Sequence, residues 1–422
     1  MLKLISNKFT TTYNDITLSK TINYAIILLA FSIPLSKALT SGVEVLIIVL
    51  WLFNKNIKEK INIAKRNNLI SAIALFLTFS AISLLWSNDT LYALNYLKKY
   101  WHFLLIPIIY TSFKKEYLHY IFSAFLTSMF ISELISYGIF FELFKYKNIS
   151  PMDPSPFMGH TDYSSYLAFT AFILIYRILS FSSFIYKIPY ILFLISSVSN
   201  LFMNGGRTGQ VIFLMSILII GFLHIKNKAK ALVGMFILIV LIFITAYNTS
   251  SVFSKRMDYT LSDINMMVKE DNYTNSFSAR IALWGIGVKN SMHEPLFGTG
   301  IGDEALHSSQ DVQSYGLGYF ISKKDNFNYV DYHNAFVQYL VQLGIIGFIL
   351  LLNIFYRLYK LKIQSYPYRE LKILFIFLYI MWSLIGLTIH LNNSLLFFVL
   401  FVSIFLVVSK EETLQKKPCI IF

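Results

Sequence analysis

The sequence has only one cysteine, Cys419, so the chain cannot form an internal disulfide. Charged residues are also few: they make up 14% of the 422 residues, whereas soluble proteins contain about 25%. Hydrophobic residues account for 56%, and they occur in blocks of about 20, the length of a membrane-spanning helix. This composition excludes an ordinary soluble domain and indicates an integral membrane protein that crosses the bilayer several times.

The sequence also lacks several motifs that indicate a particular chemistry. The chain has no His-Glu-x-x-His metal motif, no nucleotide-binding Walker loop and no pair of cysteines. The glycine-rich stretch 298–302 lacks the spacing of a dinucleotide-binding fingerprint, and it is expected to form a tight turn rather than an amide nest for an anion. The predicted outer face has no Asp-x-Asp cluster, which argues against a metal-bound nucleotide sugar. We therefore expect neither a metal site nor a cofactor.

The apolar blocks predict an all-α integral membrane protein with about twelve transmembrane helices. The polar stretch from Asn248 to Tyr332 is long enough to fold outside the bilayer, as a large extracytoplasmic loop between the ninth and tenth helices, and loops of this length commonly carry function. The chain would then consist of residues 1–247, 248–332 and 333–422. The predicted spans are 22–36, 40–53, 69–86, 100–113, 118–141, 160–178, 188–203, 208–225, 231–247, 333–356, 373–389 and 391–408.

The basic residues predict the orientation of the chain in the membrane. They give a net charge of +14, but they lie in short clusters between apolar blocks, which indicates topology rather than binding to nucleic acid. With the N-terminus in the cytoplasm, 23 of the 36 Lys and Arg lie in cytoplasmic segments, six in short outer loops and seven in the long loop. Both termini are thus predicted to be cytoplasmic.

Two arginines on the predicted outer face are candidate anion ligands. Arg207 lies in the six-residue turn 204–209, where it is either an interfacial arginine or a clamp for a phosphate or oxyanion. A short amphipathic helix is predicted from Ser276 to Met292, and it carries Arg280 and Trp284 one turn apart, close enough to stack. The forked donors of arginine suit a phosphate in either position.

The starts of two predicted helices carry polar residues that suit a cap. Ser278 is a candidate N-cap of the short helix. His160 and Asp162 open the sixth predicted span, where they either line a site or cap the helix, and capping is the favoured interpretation.

The stretch from residue 332 to residue 347 is the one around which the other candidates are organised. His333 and Asn334 lie where the polar loop ends and an apolar helix begins. At about 100° per residue, Gly344 and Gly347 fall within about 40° of His333 around that helix. Since a helix N-terminus disfavours an imidazolium, His333 is expected to be neutral near pH 7, as a general base must be. The alternative is a capping histidine above two glycines that allow close helix packing.

A base and two anion clamps at a lipid interface suggest transfer of a group from a lipid-linked phosphate donor to a hydroxyl acceptor. A transporter is the competing class. Transporters bind their substrates near the midplane of the bilayer, whereas the polar residues named here lie at the outer edge, which favours surface chemistry.

The pattern His333-Asn334, nine residues, Gly344, two residues, Gly347 resembles the signature of the O-antigen ligase family. Arg280-x-x-x-Trp284 and the downstream stretch 295–300 resemble that family as well. The family shares a superfamily with O-antigen polymerases and bacterial protein O-oligosaccharyltransferases, and the motif separates ligase from polymerase poorly.

The resemblance implies a multi-pass glycosyltransferase of the bacterial inner membrane. Its donor would be a polysaccharide on undecaprenyl diphosphate and its acceptor a sugar of lipid A-core. A histidine like His333 would deprotonate the acceptor hydroxyl, and arginines like Arg207 and Arg280 would lie near the donor diphosphate. The reaction would invert the anomeric centre without a metal. Asn334, His160, Asp162 and Trp284 are further residues that could line the substrate.

Overall fold

The protein was analysed as a computed structural model that describes residues 2–53, 56–324, 327–386, 388–389 and 392–415. Cys419 lies outside these residues. Apart from one short hairpin, the described elements are helices: α1 (Leu2–Ser32), α2 (Lys37–Leu52), α3 (Ile57–Lys65), α4 (Asn68–Ile82), α5 (Thr90–Leu97), α6 (Leu105–Ser112), α7 (Leu118–Phe140), α8 (His160–Ser180), α9 (Phe184–Met203), α10 (Arg207–His224), α11 (Lys228–Thr249), α12 (Ser251–Glu270), α13 (Ser278–Ser291), α14 (Ser309–Ser314), β1 (Ile321–Lys324), β2 (Phe327–Val330), α15 (Ala335–Lys360), α16 (Tyr366–Ser383) and α17 (Asn392–Gln415).

The helical membrane architecture is confirmed, but the count of twelve spans is not. Within the described residues, eight helices are long and apolar enough to cross a bilayer, or nine if α2 and α3, which are bent by 111°, form one span. The fourth predicted span, 100–113, is instead a 3₁₀ helix over Lys98–Leu104 followed by the short α6. Helix α16 covers most of the eleventh predicted span, but it contains Arg369, Glu370 and Lys372 and is too polar to count among these eight helices.

The centre of the bundle is built on α8 and α17, which are the most buried of the eight candidate spans. Helix α8 packs against α9, α10 and α16. Aromatic rings fill the space between these helices: Phe169 meets Phe401 edge to face at 4.6 Å, and Phe375 stacks on Phe397 at 5.7 Å. By contrast, α9 and α11 bury few of their residues and lie at the periphery.

The segment between α11 and α15 folds around a small apolar cluster of its own. Ala279 and Leu283 of α13 lie in this cluster with Val312 of α14 and with Tyr332 and Val337 at the start of α15. The antiparallel strands β1 and β2 pair in the register Ile321↔Val330 to Lys324↔Phe327. This packing places α13 beside the N-terminus of α15, which brings residues far apart in sequence to one end of the bundle.

Helix α15 is broken at Gly344, whose φ of 62° and ψ of −167° suit only glycine. The stretch 295–300 fills the break: the N–H groups of Thr299 and Gly300 donate to the carbonyls of Val341 and Gln342, each at 2.9 Å. The N–H of Ile345 donates in turn to the carbonyl of Pro295 at 2.9 Å. Because two of its amides already bind carbonyls, the glycine-rich stretch forms a structural turn as expected.

Replacing Gly344 with alanine should destabilise the protein strongly. The backbone conformation costs about 1–3 kcal/mol for a residue with a side chain. The new Cβ would lie 2.4 Å from the carbonyl group of Leu296, an overlap that adds about 1–3 kcal/mol. Thermal unfolding in detergent would measure the loss. Gly285→Ala is the matched control, since a Cβ there meets nothing within 4 Å. Equal melting temperatures for the two variants would contradict this account.

Candidate active site

His333 lies just before α15 in a left-handed backbone conformation, with a φ of 50°. The helix is not capped by His333 but by Asn334, whose Oδ1 accepts the N–H groups of Phe336 at 2.9 Å and Val337 at 3.2 Å. The N–H of His333 donates to Oδ1 of Asp331 at 2.7 Å. A tight turn stabilised by Asp331 therefore fixes the backbone of His333 and leaves the imidazole free of capping.

The surroundings of His333 favour the neutral imidazole, and the main cause is burial rather than the helix N-terminus. Burial lowers the pKa of His333 below its usual value, the positive charge of Arg280 lowers it further, and the carboxylate of Asp331 partly offsets both. Nδ1 lies 3.9 Å from the Asp331 carboxylate, and the edge of the ring packs against Phe320 at 5.3 Å between centroids. About a third of the side chain remains exposed, so a substrate can reach it.

Arg207 and Arg280, which are 73 positions apart in the sequence, bind the same hydroxyl group. Nη2 of Arg207 donates to Oγ of Ser276 at 3.1 Å, and Nη1 of Arg280 donates to it at 3.0 Å. Nη1 of Arg280 also donates to the carbonyl of Ser276 at 2.6 Å, and Nη1 of Arg207 donates to Oγ1 of Thr260 at 2.6 Å. The Nε group of Arg280 is buried, and it has no hydrogen-bond partner among the residues that the structure describes. The two guanidinium groups thus converge on the Ser276 hydroxyl, and the Nε group of Arg280 remains available to donate to an anion.

A third arginine, Arg256, lies near this pair, and no sequence motif identified it as a candidate. Its positive charge acts on Arg207, and its Nη2 lies beside Gly205, 3.2 Å from where a Cβ would stand. Among the described residues, its guanidinium group has no hydrogen-bond partner. Helix α12 explains the placement, because Arg256 and Thr260 are four residues apart and share one face. A spacing of four residues places two side chains on one face only in a helix, and the sequence analysis predicts a loop where α12 lies.

Helix α13 is held in place by Asp263 of α12 rather than by the predicted cap Ser278. The Asp263 carboxylate accepts the N–H of Phe277 at 2.7 Å and the hydroxyl of Ser278 at 2.6 Å. Ser278 is a donor in this arrangement, and Phe277 is the N-cap residue. This contact locks α12 to α13 and so fixes Arg256 relative to Arg280.

The arginine cluster is poor in compensating negative charge. No carboxylate of the described residues forms an ion pair within 4.0 Å of Arg207, Arg256 or Arg280. Asp263 and Asp331 act on Arg280 only at longer range, and burial lowers the pKa of Arg280. Three partly buried guanidinium groups, with no carboxylate of the described chain in direct contact, form a site suited to a multivalent anion such as a diphosphate.

His160 and Asp162 do not cap α8, because the N-cap residue is Gly159 and no side chain accepts there. The Nδ1 atom of His160 lies 2.9 Å from Oδ2 of Asp153, whose Oδ1 accepts the N–H of Gly205 at 3.3 Å. His160 is therefore close to the turn that carries Arg207. Asp162 instead accepts a hydrogen bond from Nδ2 of Asn393 at 3.1 Å, on the side toward α17.

Gly206 and Gly209 of that turn serve helix packing. A Cβ at Gly206 would lie 2.3 Å from Oγ of Ser164, and one at Gly209 would lie 2.1 Å from the carbonyl oxygen of Ser164. Both glycines let the first turn of α10 lie directly against α8. Arg207 is thereby held at a tight helix contact.

Trp284 and Asn334, the other two residues predicted to line the substrate, differ in whether their side-chain polar atoms are already hydrogen-bonded. The Nε1 group of Trp284, one turn after Arg280 on α13, is buried and has no hydrogen-bond partner within the described ranges. The side-chain oxygen of Asn334 is engaged in capping α15 and the residue is buried. A cavity of about 550 Å³ at the same end of the bundle is lined by Trp86, Glu294 and their neighbours, and none of the predicted site residues lines it.

Asp331→Asn should shift the titration of His333 to lower pH. The carboxylate favours the imidazolium form and so raises the pKa of His333; its removal lowers that pKa, while the asparagine oxygen can still accept the His333 N–H. NMR titration of ring-labelled histidine would measure the change, with the signal assigned through His333→Gln. Asp311→Asn is the control, since Asp311 pairs with Lys289. An unchanged or raised pKa in Asp331→Asn would contradict the geometry.

Comparison with known proteins supports the resemblance noted in the sequence. The O-antigen ligase family matches residues 191–352, less than half of the chain but including Arg207, Arg280, His333 and Gly347. An uncharacterized protein of Haemophilus influenzae is 30% identical over 156 residues, a stretch that covers 36% of this chain and 37% of that protein. The resemblance to the O-antigen ligase family is thus confirmed over the part of the chain that contains the candidate site.

Proposed function

Because residues 191–352 match the O-antigen ligase family, we propose that this multi-pass membrane protein is an O-antigen ligase of the bacterial inner membrane. It transfers a polysaccharide from undecaprenyl diphosphate to a sugar hydroxyl of lipid A-core, on the periplasmic face. The family match supports ligase- or polymerase-type glycosyl transfer, and the identity of donor and acceptor is part of the proposal.

One observation carries the proposal: Arg207 and Arg280 share the hydroxyl of Ser276 beside a neutral histidine. A hydroxyl oxygen that accepts from two guanidinium groups occupies the kind of position that a phosphate oxygen takes when it is bound. Arg256 lies near Arg207 and supplies further donors, because its guanidinium group binds no acceptor in the described part of the chain. His333 lies within electrostatic reach of Arg280, so a base and a phosphate site lie side by side.

The proposed reaction is a displacement at the anomeric carbon. The acceptor oxygen attacks from the face opposite the diphosphate, the bond between the anomeric carbon and the phosphate oxygen breaks, and the configuration inverts. The acceptor proton passes to a ring nitrogen of His333. Negative charge grows on the departing undecaprenyl diphosphate, where the preorganised arginines stabilise it. Asp331 holds His333 in position and partly stabilises the imidazolium that forms.

An O-antigen polymerase is the alternative that uses the same chemistry, with a lipid-linked repeat unit as the acceptor. A polysaccharide flippase is the alternative from another class. A lipopolysaccharide gel of a deletion strain separates the three. Loss of a ligase leaves bare lipid A-core while the lipid-linked polymer accumulates. Loss of a polymerase leaves core with one repeat unit, and loss of a flippase traps the lipid-linked repeat unit on the cytoplasmic side.

The proposal requires that the segment between α11 and α15 lies outside the cytoplasm. A single cysteine at exposed Gln310, with Cys419 replaced by alanine, should react in intact spheroplasts with a membrane-impermeant maleimide. A single cysteine at exposed Lys58, on the predicted cytoplasmic side, is the matched control and should react only after the inner membrane is permeabilised. The reverse pattern would overturn the orientation and with it the periplasmic reaction.

A further inference from the structure

A second site lies at the other end of the bundle. Helix α4 runs from Asn68 to Ile82. Just beyond its C-terminal end, Ser87 donates a hydrogen bond to the carbonyl of Ile301 at 2.8 Å. Ile301 directly follows the stretch 295–300 that fills the break of α15. The N-terminal end of α4, with Ile70, is therefore remote from His333. Here α3 turns away from α2 at 111°, and the two helices enclose a cavity with α4 and α6.

This cavity has a volume of about 430 Å³ and almost entirely apolar walls, within the ~300–1,000 Å³ of small-molecule sites. Trp51, Ile61, Ala74 and Pro107 are among the residues that line it. The helices that form it are candidate membrane spans or their neighbours. Its apolar walls therefore suit an acyl chain of a surrounding lipid.

The polar groups at the cavity are all hydrogen-bond donors or cations, apart from one serine. The Nε1 group of Trp51 is buried, and no atom of the described residues accepts a hydrogen bond from it. Lys60 and Lys65 line the rim, and none of the lining residues is acidic. The ammonium group of Lys60 donates to Oγ of Ser112 at 3.0 Å, a neutral acceptor that leaves its charge uncompensated.

Further charged groups lie near the rim. The ammonium group of Lys410 on α17 repels that of Lys60. It donates to the carbonyl of Tyr110 at 2.8 Å, and it lies 3.7 Å from the carboxylate of Glu411, which partly compensates its charge. Arg66 follows Lys65 at the end of α3. Under the predicted topology this end of the bundle faces the cytoplasmic leaflet, whose anionic lipids attract basic residues beside a membrane helix.

We propose that the α2–α3–α4–α6 cavity is a binding site for an anionic glycerophospholipid. One acyl chain occupies the apolar cavity, Trp51 donates to an ester carbonyl, and Lys60 and Lys65 bind the phosphate of the headgroup. A zwitterionic lipid fits the apolar part equally well, but its own ammonium group meets the lysines with like charge. This inference does not depend on the proposed function, because its test measures lipid binding and not glycosyl transfer.

Fluorescence quenching by brominated lipids tests the site. The full chain is placed in phosphatidylcholine nanodiscs that contain a small fraction of either phosphatidylglycerol or phosphatidylcholine with dibrominated acyl chains. The Trp51 signal is the difference between the wild type and Trp51→Phe. Brominated phosphatidylglycerol should quench Trp51 at a lower mole fraction than brominated phosphatidylcholine, by roughly fivefold for each lysine that binds the headgroup.

Variants decide which contacts are responsible. Lys65→Gln should lose roughly fivefold of the preference for phosphatidylglycerol, whereas Lys58→Gln, on the same helix but outside the cavity, should keep it. Ala74→Phe fills the cavity and should weaken quenching by both lipids. Lys60→Gln also removes the hydrogen bond to Ser112. Its quenching is therefore compared with that of the wild type only if both elute at the same volume in size-exclusion chromatography. Equal quenching by the two brominated lipids, or an unchanged preference in Lys65→Gln, would overturn the proposal.

Discussion

Replacing His333 with asparagine is expected to lower the rate of glycosyl transfer by roughly 10²–10⁴-fold, the range that a general base contributes. This corresponds to about 3–5 kcal/mol of activation free energy. An asparagine side chain cannot accept a proton near pH 7, so the acceptor hydroxyl would have to lose its proton to water. The effect should appear in kcat with purified protein, lipid-linked donor and lipid A-core acceptor.

Asparagine is the informative replacement because of the backbone at this position. His333 has a φ of 50°, and asparagine is one of the few residues enriched in that region. The turn to Asp331 and the cap provided by Asn334 use groups that the substitution leaves unchanged. His333→Asn should therefore insert and fold as the wild type does, which separates a catalytic role from a structural one.

His307→Asn is the matched control for this experiment. His307 belongs to the same segment, and its ring stacks on that of His293 at 4.6 Å, away from the arginines. The control should transfer at the wild-type rate. Transfer by His333→Asn within about fivefold of wild type, well short of the range for base catalysis, would refute the catalytic role of His333.

Arg280→Ala is expected to lower kcat by roughly 10²–10³-fold, the loss seen when one preorganised oxyanion donor is removed. Arg280 uses Nη1 to hold both the carbonyl and the hydroxyl of Ser276, while its buried Nε group binds no acceptor of the described chain. One side chain thus orients a neighbour and still has donors for an anion. A lysine has a single ammonium group and cannot do both.

Arg280→Lys should therefore remain impaired by more than roughly tenfold although the charge is kept. Lys289→Ala on the same helix is the control, because Lys289 is exposed and pairs with Asp311 at 2.7 Å. Normal transfer by Arg280→Lys at matched protein abundance would mean that charge alone suffices there. Normal transfer by Arg280→Ala as well would assign Arg280 a structural role only.

Arg280 and the residues around it show what a local sequence pattern can and cannot predict. Arg280 was identified because a polar loop contained an amphipathic stretch, and that stretch is the helix α13. Its partner Ser276 is only the first residue of the predicted helix, and nothing in the local pattern marks it as an arginine ligand. Arg256 lies in the stretch 248–332, which the sequence predicts as a loop, and the structure shows that it belongs to the helix α12. Contacts between α12, α13 and the turn before α10 decide these roles, and such contacts have no local pattern.

The sequence by itself determined the membrane character and most of the long apolar helices, and it indicated the candidate residues His333, Arg207 and Arg280. These follow from the length of apolar blocks and from polar residues at their ends, which are properties of neighbours along the chain. Only the tertiary structure decided that α15 breaks at Gly344, that Asn334 rather than His333 caps it, and that burial keeps His333 neutral. A helix break requires a second segment to satisfy the freed backbone groups, and burial depends on what packs against a side chain. Both are set by residues distant in the sequence.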